Sequence, residues 1–162
     1  LINNNQFYTM KSKINITNKK AKFEYEILDK YNAGIVLTGS EIKSIRLGKA
    51  SIAESFCEFN DSVELFIVNM TIENYSFSSI FNQLPKSTRK LLLNKKELLK
   101  LNKSVKNSGL TIIPLRLYLS DKGLAKVEIA LAKGKKLYDK RQTMIDRDNK
   151  RNLDRIKKEN KN

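Results

Sequence analysis

LTIIPLRLYL (110–119), SDKG (120–123) and LAKVEIALA (124–132) together decide the fold class of this chain. Two runs rich in β-branched and aliphatic residues are separated by a four-residue turn sequence ending in Gly123, which reads as an antiparallel hairpin. Working upstream, Ile52 to Phe59 and Val63 to Val68 flank Asn60-Asp61-Ser62, a second hairpin. Earlier still, Phe23 to Ile27 alternates apolar and charged residues, and Gly34 to Thr38 is a short apolar run closed by Gly39, giving two more antiparallel strands.

Two short helices complete the pattern. Ser40 is placed to cap a helix from Glu41 to Leu47, with Ile42 and Ile45 on one face and Gly48 as its stop. Asn94 caps a second that runs to about Lys106, with Leu98, Leu101 and Val105 facing the core and Gly109 beyond its end. Between them Ser76 to Ser87 reads as a loop leading into Thr88-Arg89-Lys90 and the apolar Leu91-Leu92-Leu93. Six or so strands neighbour mostly by sequence, and no βαβ alternation occurs. The expected fold is mainly β: a six-stranded antiparallel closed barrel resembling an oligonucleotide-binding fold, flanked by short helices.

The chain has 162 residues, 40% of them hydrophobic, enough for one core. The expected organisation is a flexible extension over 1–17, a β-barrel domain over 18–132 and a basic tail over 133–162. Met10 is expected to be the natural start, because LINNNQFYT (1–9) differs in composition from the residues after it; native protein beginning at Leu1 by mass spectrometry would overturn this. The tail carries twelve Lys or Arg against five Asp or Glu, so its charge is +7, and the remainder, twenty against twelve, carries +8 of the total +15. Polyanions are the partners such a charge attracts. Leu137, Tyr138, Met144, Ile145, Leu153 and Ile156 are too sparse to dock the tail on a core, so it is expected to be disordered when free. Asp146 with Lys150, Lys150 with Asp154, and Asp154 with Lys158 stand at helical i,i+4 spacing, which marks a latent helix that folds on a partner.

No motif points to an enzyme. The chain has no histidine and a single cysteine, Cys57, in an alternating strand-like run where a passive packing role fits best; neither a disulfide nor a Cys/His metal site is expected. Glycine phosphate loops, nucleophile elbows and D-x-D clusters are absent, and no metal or cofactor is expected. A nuclease assembling carboxylates across the fold is the enzymatic alternative, and it predicts RNA cleavage on addition of magnesium or manganese. No run reaches the length of a membrane span and no secretory signal precedes the first strand, so a cytoplasmic protein without a membrane partner is expected. Three basic clusters are candidates for phosphate contact: Asn18-Lys19-Lys20-Ala21-Lys22, Arg89-Lys90, and Lys133-Gly134-Lys135-Lys136. Of Phe23 and Tyr25, one at most should point inward, and Tyr138 is a candidate for stacking on a base.

Five blocks in order carry a resemblance: NKKAKFEYEI (18–27), AGIVLTGSEIKSIRLGKASIAESF (33–56), RKLLLNKKEL (89–98), GLTIIPLRLY (109–118) and AKVEIALAKGKKLYDKRQT (125–143). This succession resembles the SsrA-binding protein family, small protein B, from Asn18 to about Arg155. The resemblance implies a monomeric RNA-binding adaptor of trans-translation. Such an adaptor binds the tRNA-like domain of transfer-messenger RNA and delivers it to stalled ribosomes for rescue and peptide tagging. The tail would become helical in the empty messenger channel, near the decoding centre. A basic ribosomal or ribosome-assembly protein is the alternative reading of the composition.

Position by position, the resemblance associates Asn18, Lys19, Lys20, Leu92 and Lys126 with RNA binding and places Glu41, Lys43 and Arg46 in the first-helix block. Lys22, Arg89, Lys90 and Lys133 join them from the basic clusters. The resemblance assigns Lys135, Lys136, Asp139, Lys140 and Arg141 to the ribosome-contacting tail, where Tyr138, Arg147, Lys150 and Arg151 are also expected to act. The chain departs from the family pattern at Asn32, usually Glu, at Tyr138, often His, and in the loop from Asn74 to Lys86.

Overall fold

The computed structural model describes residues 14–76, 84–106 and 109–159. In chain order its elements are β1 (Asn15–Thr17), α1 (Ala21–Glu24), β2 (Tyr25–Ile35), α2 (Gly39–Arg46), β3 (Ala50–Ser51), β4 (Phe56–Phe59) and β5 (Leu65–Val68). Next come β6 (Thr71–Ile72), β7 (Arg89–Leu92), α3 (Lys95–Val105), β8 (Leu110–Leu119), β9 (Ala125–Gly134) and α4 (Leu137–Glu159).

The β8–β9 hairpin is the spine. It forms as its sequence predicts, with Gly123 at φ 77° in the turn, where a side chain would be strained. Neighbouring pairings run β8, β4, β5, β7, β2, β9 and back to β8, so six antiparallel strands close a ring. β1 adds to the free stretch of β8, and β3 pairs with β6 in a separate ribbon. Inside the ring Leu65, Ile67, Leu91, Ile112, Leu117, Val127 and Ile129 are almost wholly buried.

Several expectations change. The two strands expected at Phe23–Ile27 and Gly34–Thr38 are one strand, β2, which pairs with β9 along most of its length and carries a bulge at Leu28. Long-range pairing with β9 overrides the polar Asp29, Lys30 and Asn32, which break the apolar pattern: Lys30 and Asn32 lie on the outer face, and Asp29, on the other side, meets Lys100 of α3 at 3.1 Å. Phe23 and Glu24 belong to α1 instead, because that turn packs Ala21 onto the outer face of the sheet. The run from Ile52 to Phe59 starts as a strand only at Phe56, since Ser55 turns the chain with its hydroxyl on the Ile52 carbonyl, 2.7 Å away. Leu91 and Leu92 continue from Arg89 as β7, whereas Leu93 lies outside it. Residues 14–17 are part of the folded unit, with Ile14 and Ile16 against the core; the rest of the extension expected over 1–17 lies outside the described residues. The Met10 start lies outside the described residues.

The cap of α2 also moves, from Ser40 to Thr38. Thr38 Oγ1 accepts from Glu41 N at 3.4 Å and Glu41 Oε2 accepts from Thr38 N at 2.8 Å, a reciprocal capping box. Thr38→Ala is expected to lower stability by about 1 kcal/mol, read as a fall in melting temperature of about 2–4 °C. α3 begins as expected after Asn94, whose N–H donates to Glu97 Oε2 at 3.1 Å, and buries Leu101.

The tail is the largest difference. Where disorder is expected when free, the structure has one helix of 23 residues with no buried side chain. The i,i+4 pairs expected to bias it are not closed as ion pairs. Asp148–Arg151, at i,i+3 and 3.6 Å, is the contact made.

Candidate nucleic-acid interface

The outer face of β1, β8, β9 and β2 is where the cations gather, and strand alternation puts them there. Along β9, Val127 and Ile129 point into the ring while Lys126 and Glu128 point out; along β8, Leu117 points in while Arg116 and Tyr118 point out. Register then sets neighbours. Thr17, Arg116, Glu128 and Asn32 form one row across four strands, and Asn15, Tyr118, Lys126 and Gly34 form the next. Leu92 of β7 continues the second row, its Cβ 3.4 Å from where a Cβ on Gly34 would stand, so the exposed Leu92 side chain leans over bare backbone beside Lys126.

Glu128 organises the first row. It receives Arg116 Nε and lies 3.6 Å from Lys30 Nζ, so both cations are held upright on the face. The Arg116 guanidinium sits 4.6 Å from the Tyr118 ring, and Tyr118 donates its hydroxyl to Asn32 Oδ1 at 3.2 Å. The departure at Asn32 is thus accommodated by an amide oxygen that accepts from a tyrosine. Two open depressions flank Arg116. One, about 450 Å³, is lined by Asn18, Lys19, Lys22 and Lys30 among others; the second, about 370 Å³, by Asn15, Tyr118 and Lys126 among others.

Asn18 is a structural joint as much as a surface group. β8 carries a register shift between Pro114 and Arg116, and Asn18 closes it: its N–H donates to the Leu115 carbonyl at 2.8 Å and its Nδ2 to the Pro114 carbonyl at 3.3 Å. Its Oδ1 accepts from Lys20 N at 3.2 Å, which turns the chain so that Lys19 and Lys22 reach the depression. Lys20 points elsewhere, to Glu54 at 3.1 Å.

From Ile129 to Ala132 β9 is buried on both faces. Ala130 and Ala132 there meet Ala21, Ile113, Tyr25 and Ile27, a small cluster outside the ring that α1 covers. Alanines at these positions let α1 approach the sheet closely. Tyr25 is therefore the inward aromatic of the pair, and Phe23 lies on α1 with the Arg147 guanidinium 6.0 Å from its ring.

Other expected site residues lie apart from this face. Glu41 and Arg89 are 7% and 3% exposed, and form a buried ion pair with Arg89 Nε 2.7 Å from Glu41 Oε1. Arg89 also donates to the carbonyls of Met70, Ser87 and Pro85 at 2.8, 2.8 and 3.1 Å, so it ties down both ends of the 70–87 segment. Phosphate contact by Arg89, expected from its basic cluster, and the RNA contact expected of Glu41 do not fit this enclosure. Lys90 is bonded to Glu64, and that bond first, with Asn60 second, holds the Glu64 carboxyl below its usual range. Lys43 and Arg46 stand exposed on α2, Lys43 over Tyr75 and Arg46 at 3.4 Å from the Gly123 carbonyl near the hairpin tip. Lys133 is exposed at the end of β9.

In α4, Lys140, Arg147, Arg151 and Lys158 recur at intervals of seven, four and seven, which aligns them along one side of the helix. Tyr138 is 72% exposed, and Arg141 and Lys150 are also exposed, whereas Asp139 Oδ2 accepts from Lys136 N at 3.2 Å. Lys30, Arg116 and Tyr118 were not among the expected site residues. Their signal was the alternation within the hairpin, which puts Arg116 and Tyr118 on the same side as Lys126 once the register is known. No helix among the described residues is long and apolar enough to cross a membrane, and none of their Cys, Asp and Glu residues cluster as metal ligands.

Residues 15–159 match the sequence profile described as SmpB protein. An SsrA-binding protein from Christiangramia forsetii is 66% identical over 152 residues, covering 94% of this chain and 96% of the relative. One from Flavobacterium psychrophilum is 68% identical over 146 residues, 90% and 97% of the two chains. Among solved structures, a chain from work described as "tmRNA-SmpB: a journey to the center of the bacterial ribosome" superposes with a TM-score of 0.64 at 44% identity, covering 76% of this chain and 86% of that one.

Proposed function

This chain belongs to the SmpB protein family, and from that membership we propose that it is the RNA-binding adaptor of trans-translation. It binds transfer-messenger RNA and acts with it on stalled ribosomes. The observation that carries this reading is the span of the family match, residues 15–159, which takes in both the cationic outer face and the whole of α4. We read the closed six-strand ring as a small barrel of the oligonucleotide-binding type. In this reading the barrel grips the tRNA-like domain through Lys19, Lys22, Lys30, Arg116 and Lys126, with Leu92 and Tyr118 offering apolar and aromatic surface to sugars and unpaired bases. Lys133, Lys43 and Arg46 extend the positive field around it. Glu41 and Arg89 act apart from that surface, by tying α2 to β7.

α4 serves the ribosome. Its aligned cations suit the phosphates of a channel wall, and its lack of any buried residue leaves it free to enter a space the width of one strand of message. Lys136, Asp139, Lys140 and Arg141 lie at its start, where the helix leaves the body. The barrel meets α4 only near its start, through Lys135 at Thr143 and through Phe23 under Arg147, so we infer that the C-terminal turns fray when free and are completed in the channel. The setting is the cytoplasm, with no catalytic step carried by the protein itself.

Sequencing of the RNA that co-purifies with the protein from its own cell tests this directly: enrichment of one tRNA-like RNA is expected. Stoichiometric retention in ribosomes after a high-salt wash, without such an RNA, would instead assign a structural ribosomal role. At residue level, Lys19→Ala is expected to weaken RNA binding and to reduce the slope of log K against log salt by about 0.7–0.9, one released counterion. An unchanged slope would remove Lys19 from the phosphate contacts. Lys20→Ala should do less, because Glu54 already neutralises Lys20.

A further inference from the structure

Only Lys135 and Lys136 separate the end of β9 at Gly134 from the start of α4 at Leu137. No apolar packing fixes the helix after that link: Leu137 and Tyr138 are 78% and 72% exposed, and no residue of α4 is buried. A helix so attached would swing freely. What meets it is a polar clasp built on α1. Lys135 N donates to the Glu24 carbonyl at 2.9 Å, which continues the β2–β9 pairing by one residue. Its Nζ donates to the Lys22 carbonyl at 3.1 Å and to Thr143 Oγ1 at 3.2 Å. The Thr143 hydroxyl in turn donates to the Asp139 carbonyl one turn earlier, at 2.9 Å, so its lone pairs are turned toward the ammonium. Further along, the Arg147 guanidinium lies over Phe23 of the same α1 turn.

We propose that Lys135 is a positioning residue: its ammonium bridges α1 to the second turn of α4 and thereby sets the direction in which the tail helix leaves the barrel. This deepens the reading that α4 works in the ribosomal channel, and it gives Lys135 a different task from its neighbours. Arg141, Lys150 and Arg151 stand exposed on the helix, whereas Lys135 directs its ammonium inward, to a carbonyl and a hydroxyl. A lysine suits this because its ammonium on a four-carbon stem can reach both acceptors at once. The first two turns of α4 therefore belong mechanically to the barrel, and the remainder projects from them.

The test is a distance measurement in the full chain, with spin labels at Asp61→Cys in the β4–β5 turn and Asn149→Cys in α4. Cys57 is buried and its thiol is pushed far up by burial, so it stays unlabelled. One narrow distance distribution is expected, which Lys135→Met and, separately, Thr143→Val broaden, and which Lys135→Arg restores. Tagging on stalled ribosomes should fall about tenfold in Lys135→Met, roughly the 1.4 kcal/mol of two exposed hydrogen bonds, and recover in Lys135→Arg. An unchanged distribution in both Lys135→Met and Thr143→Val would overturn the proposal. So would lost tagging with unchanged distances, since Lys135 would then act by direct contact. The distances are read on free protein, so they stand or fall independently of the role given to the tail on the ribosome.

Discussion

A chain ending at Tyr138 is expected to bind transfer-messenger RNA within about threefold of the full protein at physiological salt, where exposed charges beyond about 8 Å are largely screened, and to tag no stalled nascent chain above background. The segment removed, Asp139 to Asn162, holds nine Lys or Arg and five Asp or Glu, a net loss of four charges from +15. None of them lies on the outer face of β1, β8, β9 and β2, where Lys19, Lys22, Arg116 and Lys126 remain. Nothing in α4 is buried, so the melting temperature should hold as well. Activity on the ribosome has no such reserve, because the aligned cations Lys140, Arg147, Arg151 and Lys158 all go together. Gel-shift titration and a tagging assay on ribosomes stalled on a message lacking a stop codon measure the two arms. Parallel loss of both would contradict a barrel that binds RNA and a tail that serves the ribosome.

The second large effect concerns stability. Arg89→Met is expected to cost about 3–5 kcal/mol, the usual penalty for stranding one member of a buried ion pair. That is a fall in melting temperature on the order of 6–20 °C for a domain of this size. Three features of the site favour the upper part of that range. Arg89 and Glu41 are almost fully enclosed, the guanidinium satisfies three backbone carbonyls, and those carbonyls belong to both ends of the 70–87 segment. Glu41→Gln should cost less, because the amide can still accept from Thr38 N and Arg89 keeps its carbonyl partners. Thermal denaturation followed by circular dichroism reads both variants. RNA affinity of Arg89→Met, measured well below its melting point, should match the unsubstituted chain; weaker binding with an unshifted melting temperature would return Arg89 to the RNA surface.

This pair illustrates why some candidate residues were misread. Arg89-Lys90 looks like a surface dibasic step, and nothing local distinguishes its two members. Strand alternation sends Arg89 inward beside Leu91 and Lys90 outward beside Leu92, and only the packing of α2 against β7 supplies Glu41 as the partner that makes an inward arginine tolerable. The reverse error occurs at Arg116 and Tyr118. They sit in a run whose pattern is dominated by apolar residues, and only the register with Lys126 and Glu128 places them on the cationic face. Phe23-Glu24 shows a third kind of miss, in which perfect local alternation lost to a tertiary contact, the docking of Ala21 on Ala130 and Ala132.

The sequence by itself determined whatever rests on local chemistry and on ordered motifs: the mainly antiparallel β class, the hairpin at 110–132, the positions of α2 and α3, the basic character of both halves, and family membership through five blocks in order. These arise from period-two and period-3.6 patterns, turn residues and charge, which a chain carries whatever it later touches. Tertiary structure decided which polar side chains are buried, which cations share a face, and how the tail is held. Each of those depends on pairing between residues far apart in sequence: Arg89 with Glu41, Lys126 with Tyr118 and Gly34, and Lys135 with the carbonyls of α1. The energy of a buried charge or an aimed cation is set by its surroundings, and the surroundings exist only once the ring has closed.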